Sequence, residues 1–243
     1  MRIPRFYTEQ TLTIGLELDL TTDIHRHAIQ VLRLKVDEEI VLFNGQGGEY
    51  LAQISLAEKR RSSASIISFN DINRESPLNT TLALAMIKSD KMDFAIQKAV
   101  EMGVNCIQPL YTNRSVINIK TNRLEKKTAH WQSIIKGACE QSGRTSLPLL
   151  KTPLKLEPWL QTSSTPLRLA MLPGEYPHIK ALSTPPNNEV TLIVGPEGGF
   201  NEQEVDLLLA SNVTGIQFGP RILRAETAVI AGLSLCQQQW GDL

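Results

Sequence analysis

Cysteine is scarce in this chain: Cys106, Cys139 and Cys236 are the only three in 243 residues, and no C-x-x-C occurs. No disulfide framework or zinc site follows from such spacing, and a reducing cytoplasm fits it. Net charge is lacking as well, because Lys+Arg and Asp+Glu both number 25. The total therefore says nothing about an anionic partner. No apolar run approaches the length of a membrane span. The first residues, Met1-Arg2-Ile3-Pro4-Arg5-Phe6-Tyr7, have no apolar h-region, so no signal peptide is expected. G-x-G-x-x-G, G-x-x-x-x-G-K-[ST] and G-x-S-x-G are all missing, which removes the usual dinucleotide fingerprint, the P-loop and the hydrolase elbow. His25 and His27 lie two apart without a carboxylate–histidine pattern, and His130 and His178 stand alone. All read as surface or structural side chains, so no metal is expected. There is no internal repeat and no low-complexity segment.

What is present is ordinary globular composition with a lopsided charge distribution. Hydrophobic residues at 42% and charged residues at 21% are enough for one or two packed domains. Residues 88–155 hold 12 basic and 5 acidic side chains, whereas residues 156–243 hold 4 and 9. A basic middle fits an anionic partner on one face, or a set of solvated helix faces.

Residues 1–70 read as β-rich. Ile40–Phe43 and Glu49–Ile54 flank the turn Asn44-Gly45-Gln46-Gly47-Gly48, and no helix signal follows that turn. It is a hairpin rather than a phosphate loop, which would need a helix N-terminus. Ser65–Phe69 is a further strand, and Ile24, Ala28, Val31 and Leu32 space a short helix around His25–Leu34. The expectation is a small β-barrel. Residues 71–80, polar and containing Pro77, read as a linker.

Beyond it the pattern becomes α/β over residues 81–243. Leu82–Ile87 is a continuous apolar run, as in a strand covered on both faces. Ser89 is placed to cap a helix with Met92, Ala95, Ile96 and Ala99 on one face, ended by Gly103. Strands follow at Cys106–Leu110, Leu167–Leu172, Val190–Val194 and Gly215–Phe218. Helices run over Leu124–Ala138 with Gly143 closing, from residue 202, and from 225 to 240. Alternating strands and helices specify a parallel sheet.

In such sheets ligands sit outside the carboxyl ends of the strands. Three strand ends carry loop chemistry: Leu172-Pro173-Gly174-Glu175, Gly195-Pro196-Glu197-Gly198-Gly199-Phe200, and Gly219-Pro220-Arg221-Ile222-Leu223-Arg224-Ala225-Glu226-Thr227. Glycines let main chain approach a ligand. Asn201, with Glu204 three residues on, signals a helix start that aims unpaired N–H groups back at the middle loop. Arg221, Arg224 and Glu226 form either an ion pair holding their loop or an electrostatic clamp at a reacting centre. Glu140-Gln141-Ser142-Gly143-Arg144 is either a capped helix end or a polar shelf.

Taken in order, Met1–Phe6, Lys88–Gly103, Glu140–Arg144, Gly195–Phe200 and Gly219–Thr227 resemble the RsmE family, bacterial 16S rRNA uridine-N3 methyltransferases of the SPOUT class. The resemblance covers nearly the whole chain. It implies an N-terminal PUA-like RNA-holding barrel and a C-terminal SPOUT-type parallel sheet with a deep trefoil knot, a rare exception to the rule against threaded chains. It also implies S-adenosylmethionine as methyl donor, 16S rRNA or the small ribosomal subunit as partner, and a homodimer with the site near the subunit interface. On this resemblance Leu172, Pro173, Gly174, Val194, Gly195, Pro196, Glu197, Gly198, Gly199, Phe218, Gly219, Ile222, Leu223, Arg224, Ala225 and Thr227 are cofactor-binding. Arg224 and Glu226 serve the reacting centre, and Arg2, Arg5, Arg26, Arg33 and Arg144 meet RNA phosphates. The competing readings are a related methyltransferase acting on another RNA such as tRNA, a non-catalytic RNA-binding module, and an unrelated α/β nucleotide enzyme.

Overall fold

Alternating apolar residues in the first third of the chain pair into one mixed sheet. The computed structural model describes residues 3–115 and 121–243, so Arg2 lies outside the described residues. The chain divides into a unit of residues 1–75 with 139–147 and a unit of residues 76–138 with 148–243. The first holds β1 (Arg5–Tyr7), β2 (Glu17–Asp19), β3 (Glu39–Phe43), β4 (Glu49–Ala57) and β5 (Ser62–Asn70). The strand order is β1-β3-β4-β5-β2, with β1 parallel to β3 and the other pairs antiparallel. No pairing joins edge strands β1 and β2 among the described residues. Phe6, Leu18, Ile40, Leu42, Ile54 and Ile66 bury the inward face.

Two expectations for this unit need correction. The short helix starts earlier than His25: Thr21 accepts a hydrogen bond from Ile24 N, opening α1 (Thr22–His25), and a π-helical stretch continues it over Arg26–Val31. Arg33, at φ 58°, then turns the chain. The expected linker is only partly one. Arg74 donates to Glu49 and to Gly143 O at 3.1 and 3.0 Å, and Glu75 accepts from Arg144, Thr145 N and Ser146 N. At its other end, Asn79 and Thr80 already belong to the next strand.

The second unit is a parallel sheet. Its strands are β6 (Asn79–Ala85), β7 (Cys106–Tyr111), β8 (Leu149–Leu150), β9 (Leu154–Lys155), β10 (Leu167–Met171), β11 (Glu189–Val194) and β12 (Thr214–Ile216). Their order is β12-β10-β11-β6-β7-β8, with β9 also on β7. Its helices are α2 (Ser89–Glu101), α3 (Thr121–Ser142), α4 (Leu156–Thr162), α5 (Glu202–Ala210) and α6 (Ala225–Trp240). The last residues of α3 count with the first unit. Ala83, Ala170 and Ile193 share a core with Trp159 and Leu160 of α4 and Leu208 of α5. Side chains alternate along a strand, so Leu192 points to the opposite face, against α6. Helices on both faces explain the unbroken apolar strands. Phe218, read as the end of β12, instead lies in the loop beyond it.

Gly232 marks how closely α6 approaches the sheet. A Cβ there would sit 2.6 Å from Leu192 Cδ2 and 3.1 Å from Met171 Sδ. Alanine is the better helix former by about 1 kcal/mol, but forcing a methyl into a packed core costs about 1–3 kcal/mol. Gly232→Ala is therefore expected to lower stability in urea denaturation. An unchanged or raised midpoint would show that Leu192 repacks freely.

Candidate functional site

Because β12, β10, β11 and β6 are parallel neighbours, their carboxyl ends lie along one edge of the sheet. All three sequence-defined loops leave from that edge, and so does the segment from Met86 to Lys88 that opens α2. The loop after β10 is fastened to the strand beside it. Leu172 N donates to Ile216 O at 3.3 Å, and Gln217 N donates to Pro177 O at 3.2 Å. The Gln217 amide, oriented to satisfy its surroundings, donates to Gly174 O at 3.1 Å and Tyr176 O at 3.3 Å. The Tyr176 ring lies on Gly215, leaving no room there for a Cβ. Leu172 is buried, while Pro173 and Gly174 are exposed.

The loop after β11 is held at every corner. Val194 and Pro196 are buried, and Gly199 N closes a turn onto Pro196 O at 2.8 Å. Asn201 and Glu204 form the expected capping box on α5, at 2.8 and 3.0 Å. The second oxygen of the buried Glu204 accepts from Asn113 N at 2.7 Å. Arg114 donates to Gly198 O at 2.9 Å, its aliphatic stem against the Gly198 main chain. Glu197 accepts from Lys88 N at 3.0 Å. The N-terminus of α2 is therefore capped by a distant carboxylate, not by Ser89 as the sequence implies: Lys88 occupies the N-cap position and Ser89 the first helical one.

The loop after β12 stays open. Gly199 and Gly219 both adopt φ of 68°, and nothing lies within 4 Å of a Cβ built on either. Arg221, Arg224 and Thr227 are exposed, Phe218, Gly219 and Leu223 are half-buried, and Ile222 is 92% exposed. Arg224 is the N-cap residue of α6 and makes no side-chain cap bond. Glu226, in the first turn of α6, is buried, and its carboxylate meets Lys91 Nζ at 3.1 Å. The ion-pair reading of this loop therefore holds for Glu226 with a different partner: a lysine of α2 in place of Arg221 or Arg224.

The structure separates the expected phosphate contacts. Arg26 and Arg33 are exposed. Arg5 and Arg144 are not, which corrects their placement as open phosphate contacts. Arg5 is buried against Glu49, donates to Arg144 O at 3.0 Å and stacks over Phe43. Arg144 is buried against Glu75. Glu140 accepts from Tyr7 N at 3.0 Å, so the 140–144 stretch is an internal tie of the first unit rather than a shelf. Burial pushes the Cys139 and Cys236 thiols up to about 12 and raises Cys106, so none presents a thiolate near neutrality. Among the described residues, no group of three His, Cys, Asp or Glu side chains is placed to hold a metal.

Lys88, Lys91, Asn113 and Arg114 were not legible as site residues. Two of them follow β6 and two follow β7, so the strand-end rule alone pointed to these segments. No local spacing pairs residue 91 with 226 or 114 with 198.

Comparison with known proteins agrees with this geometry. Residues 74–237 match the model of an RNA methyltransferase domain, and residues 20–67 that of an RNA methyltransferase PUA domain. The ribosomal RNA small subunit methyltransferase E of Buchnera aphidicola (subsp. Schizaphis graminum) is 34% identical over 100% of this chain and 98% of its own. That of Rickettsia conorii is 33% identical over 96% and 95%. The crystal structure of the Neisseria gonorrhoeae enzyme of that name, bound to S-adenosyl methionine, covers 100% of both chains at 36% identity and TM-score 0.93. A Legionella pneumophila protein solved with bound SAM gives 37%, 100% of both chains and TM-score 0.97. Fold and site thus define an RNA methyltransferase of the α/β class that carries a PUA-like domain. Within that class, the chain belongs to the ribosomal RNA small subunit methyltransferase E (RsmE) family.

The burial of Arg5 has a direct consequence. Arg5→Met takes one of two arginines from buried Glu49 and leaves Arg74 at 3.1 Å, so the loss should fall below the about 3–5 kcal/mol of a fully broken buried pair, at about 1–3 kcal/mol. Chemical denaturation of the variant is expected to show a drop of that order. A variant of full stability with weakened RNA binding would restore Arg5 to the phosphate-contact role.

Proposed function

We propose that this chain transfers a methyl group from S-adenosylmethionine to N3 of a uridine in 16S rRNA. The observation that carries the reading is the pair of open, left-handed glycines, Gly199 and Gly219, on loops from one sheet edge. Their main chain admits a ligand where a side chain would obstruct it. Buried Leu172 and Val194 supply apolar surface beside it. These residues fit the donor, with Gly199, Gly219 and Leu223 holding adenine and ribose through backbone groups.

When bound, S-adenosylmethionine supplies an electrophilic methyl group on a sulfonium. The rest falls to the chain. Loop atoms orient the methyl carbon in line with N3 and hold the two reactants at near-attack distance. The N3 proton leaves to an acceptor, and negative charge spreads onto the imide oxygens, where a fixed guanidinium would stabilise it. The N3–C bond would then form as the C–S bond breaks, discharging that anion and leaving S-adenosylhomocysteine as the neutral thioether. Arg224 is exposed at the start of α6 and free of a cap bond, which suits the guanidinium's part. Arginine stays protonated, so it is not the proton acceptor. Glu226, anchored two residues on in the first turn of α6, orders the backbone that carries Arg224.

N3 lies on the Watson–Crick edge, so the target must be unpaired or splayed out. Arg26 and Arg33 of the PUA-like unit are exposed for phosphates. The reading includes a trefoil-knotted chain at these loops and a homodimer in which a second copy covers the exposed Ile222. It also places the enzyme in the cytoplasm with its substrate. No described helix is long and apolar enough to cross a membrane.

The decisive experiment maps methylated nucleotides by mass spectrometry in 16S rRNA from cells with and without the gene. One uridine should lose an N3 methyl group; an unchanged 16S map with an altered tRNA would transfer the reaction to another RNA. On purified protein, S-adenosylhomocysteine should raise the melting temperature, since a ligand of the folded state stabilises it. No shift would favour a non-catalytic RNA-binding module. Arg224→Ala should keep that shift while losing turnover at saturating donor by about 10²-fold.

A further inference from the structure

We infer that Lys91 is a positioning residue for methyl transfer, acting through Glu226. The inference rests on the proposed reaction. The Glu226 side chain is 8% exposed, and the cation against it is Lys91 Nζ at 3.1 Å. A buried carboxylate whose counter-cation is removed must move, take up a proton or draw in water. Each of those disturbs the first turn of α6, whose N-cap residue is Arg224. The charged groups beside Lys91 on α2 do not replace it. Asp93 meets His130 Nε2 at 2.7 Å and Lys127 Nζ at 3.9 Å, and Lys127 donates to Ser89. Asp90 is exposed. Lys88, three residues before Lys91, holds Glu197 of the neighbouring loop through its N–H. One turn of α2 therefore grips both glycine loops: main chain to the first, ammonium to the second. Lys91 and Glu226 are not among the residues assigned to the donor, so the effect should fall on turnover, with donor binding left intact.

Turnover of 16S rRNA at saturating donor tests this with Lys91→Met, Lys91→Arg, Glu226→Gln and the Lys91→Met/Glu226→Gln double variant. Lys91→Met should lose at least about tenfold in kcat, with the donor KM within about twofold of wild type and the S-adenosylhomocysteine melting shift retained. Lys91→Arg should recover most of the turnover. In the Glu226→Gln background, Lys91→Met should add less than about twofold, because the partner is already neutral. A Lys91→Met protein with wild-type kcat, a loss confined to KM, or the same fold-loss with and without the Glu226 carboxylate would each overturn the assignment. If Lys91→Met has no cooperative melt, Lys91→Gln, which keeps a polar stem, takes its place in the same comparison. A wild-type chain that binds S-adenosylhomocysteine but methylates no ribosomal RNA would sink the proposed reaction, and the part of Lys91 with it. Active wild type with indifferent Lys91 variants would sink only the latter.

Discussion

The pairing of β11 with β6 is the constraint on which the site depends. Six successive residues, Glu189–Val194, lie in parallel register with Asn79–Leu84. Valine, leucine and isoleucine from β11 and leucine and alanine from β6 are buried there on both faces of the sheet. In a parallel sheet a one-residue slip would exchange the two faces of every residue in the strand. Here that exchange would set Leu192 against α5 and Ile193 against α6, in cores shaped for the reverse. The register therefore fixes where Gly195 and Met86 emerge, side by side. From that edge Glu197 meets Lys88 N, and α2 departs with Lys91 directed toward α6.

The two glycine loops solve different problems with the same residue. Around Gly195 and Gly198 the space is occupied: Phe200 lies 3.0 Å from a built Cβ at the first, and Arg114 3.3 Å at the second. These glycines allow close packing of protein on protein. Around Gly199 and Gly219 the space is empty and φ is positive. Those glycines combine an unusual backbone conformation with open main chain, the pairing that a ligand-binding bend requires. The motif G-P-E-G-G-F thus contains scaffold and surface within a few residues.

Apart from the short β8, β9 and α4, between Gly143 and Leu167, which went unread, the sequence made the order and type of most elements of the second unit legible, because strand and helix periods are local properties. The capping box at Asn201 and Glu204 and the C-terminal glycines Gly103 and Gly143, at φ 82° and 87°, belong to the same category. The early start of α1 rests on a local cap, Thr21 accepting from Ile24 N, whereas the edge-strand pairing of the first unit and the use of residues 71–75 depended on partners far along the chain. The same is true of charge. Arg5 and Arg144 read as surface arginines because nothing nearby in sequence announces Glu49 or Glu75. A buried ion pair is invisible until both halves of it are placed, and the resemblance to a family names positions without saying which are exposed. The site loops were legible as loops. The ties that hold them were not, since Asn113, Arg114, Lys88 and Lys91 act on residues more than eighty positions away.

Those ties follow from what the chemistry demands. A bend that offers free main chain to a ligand has given up side chains that would otherwise stiffen it, and glycine adds conformational freedom. Catalysis by fixed dipoles and charges needs the opposite, groups already in place before charge develops. The structure reconciles the two by fastening the loops from outside with charge-assisted contacts. Glu204 accepts from Asn113, Arg114 donates to Gly198 O, Glu197 caps α2, and Lys91 anchors Glu226. Hydrogen bonds in which one partner is ionised are about twice as strong as neutral ones, and each spans from one strand-end segment to another. Rigidity is thus supplied by neighbours around the rim, while the surface offered to the ligand stays backbone. On the proposed reaction, removing a side chain of this rim disturbs the site through the loop it fastens, and the disturbance grows with the burial of the charge that the side chain balances.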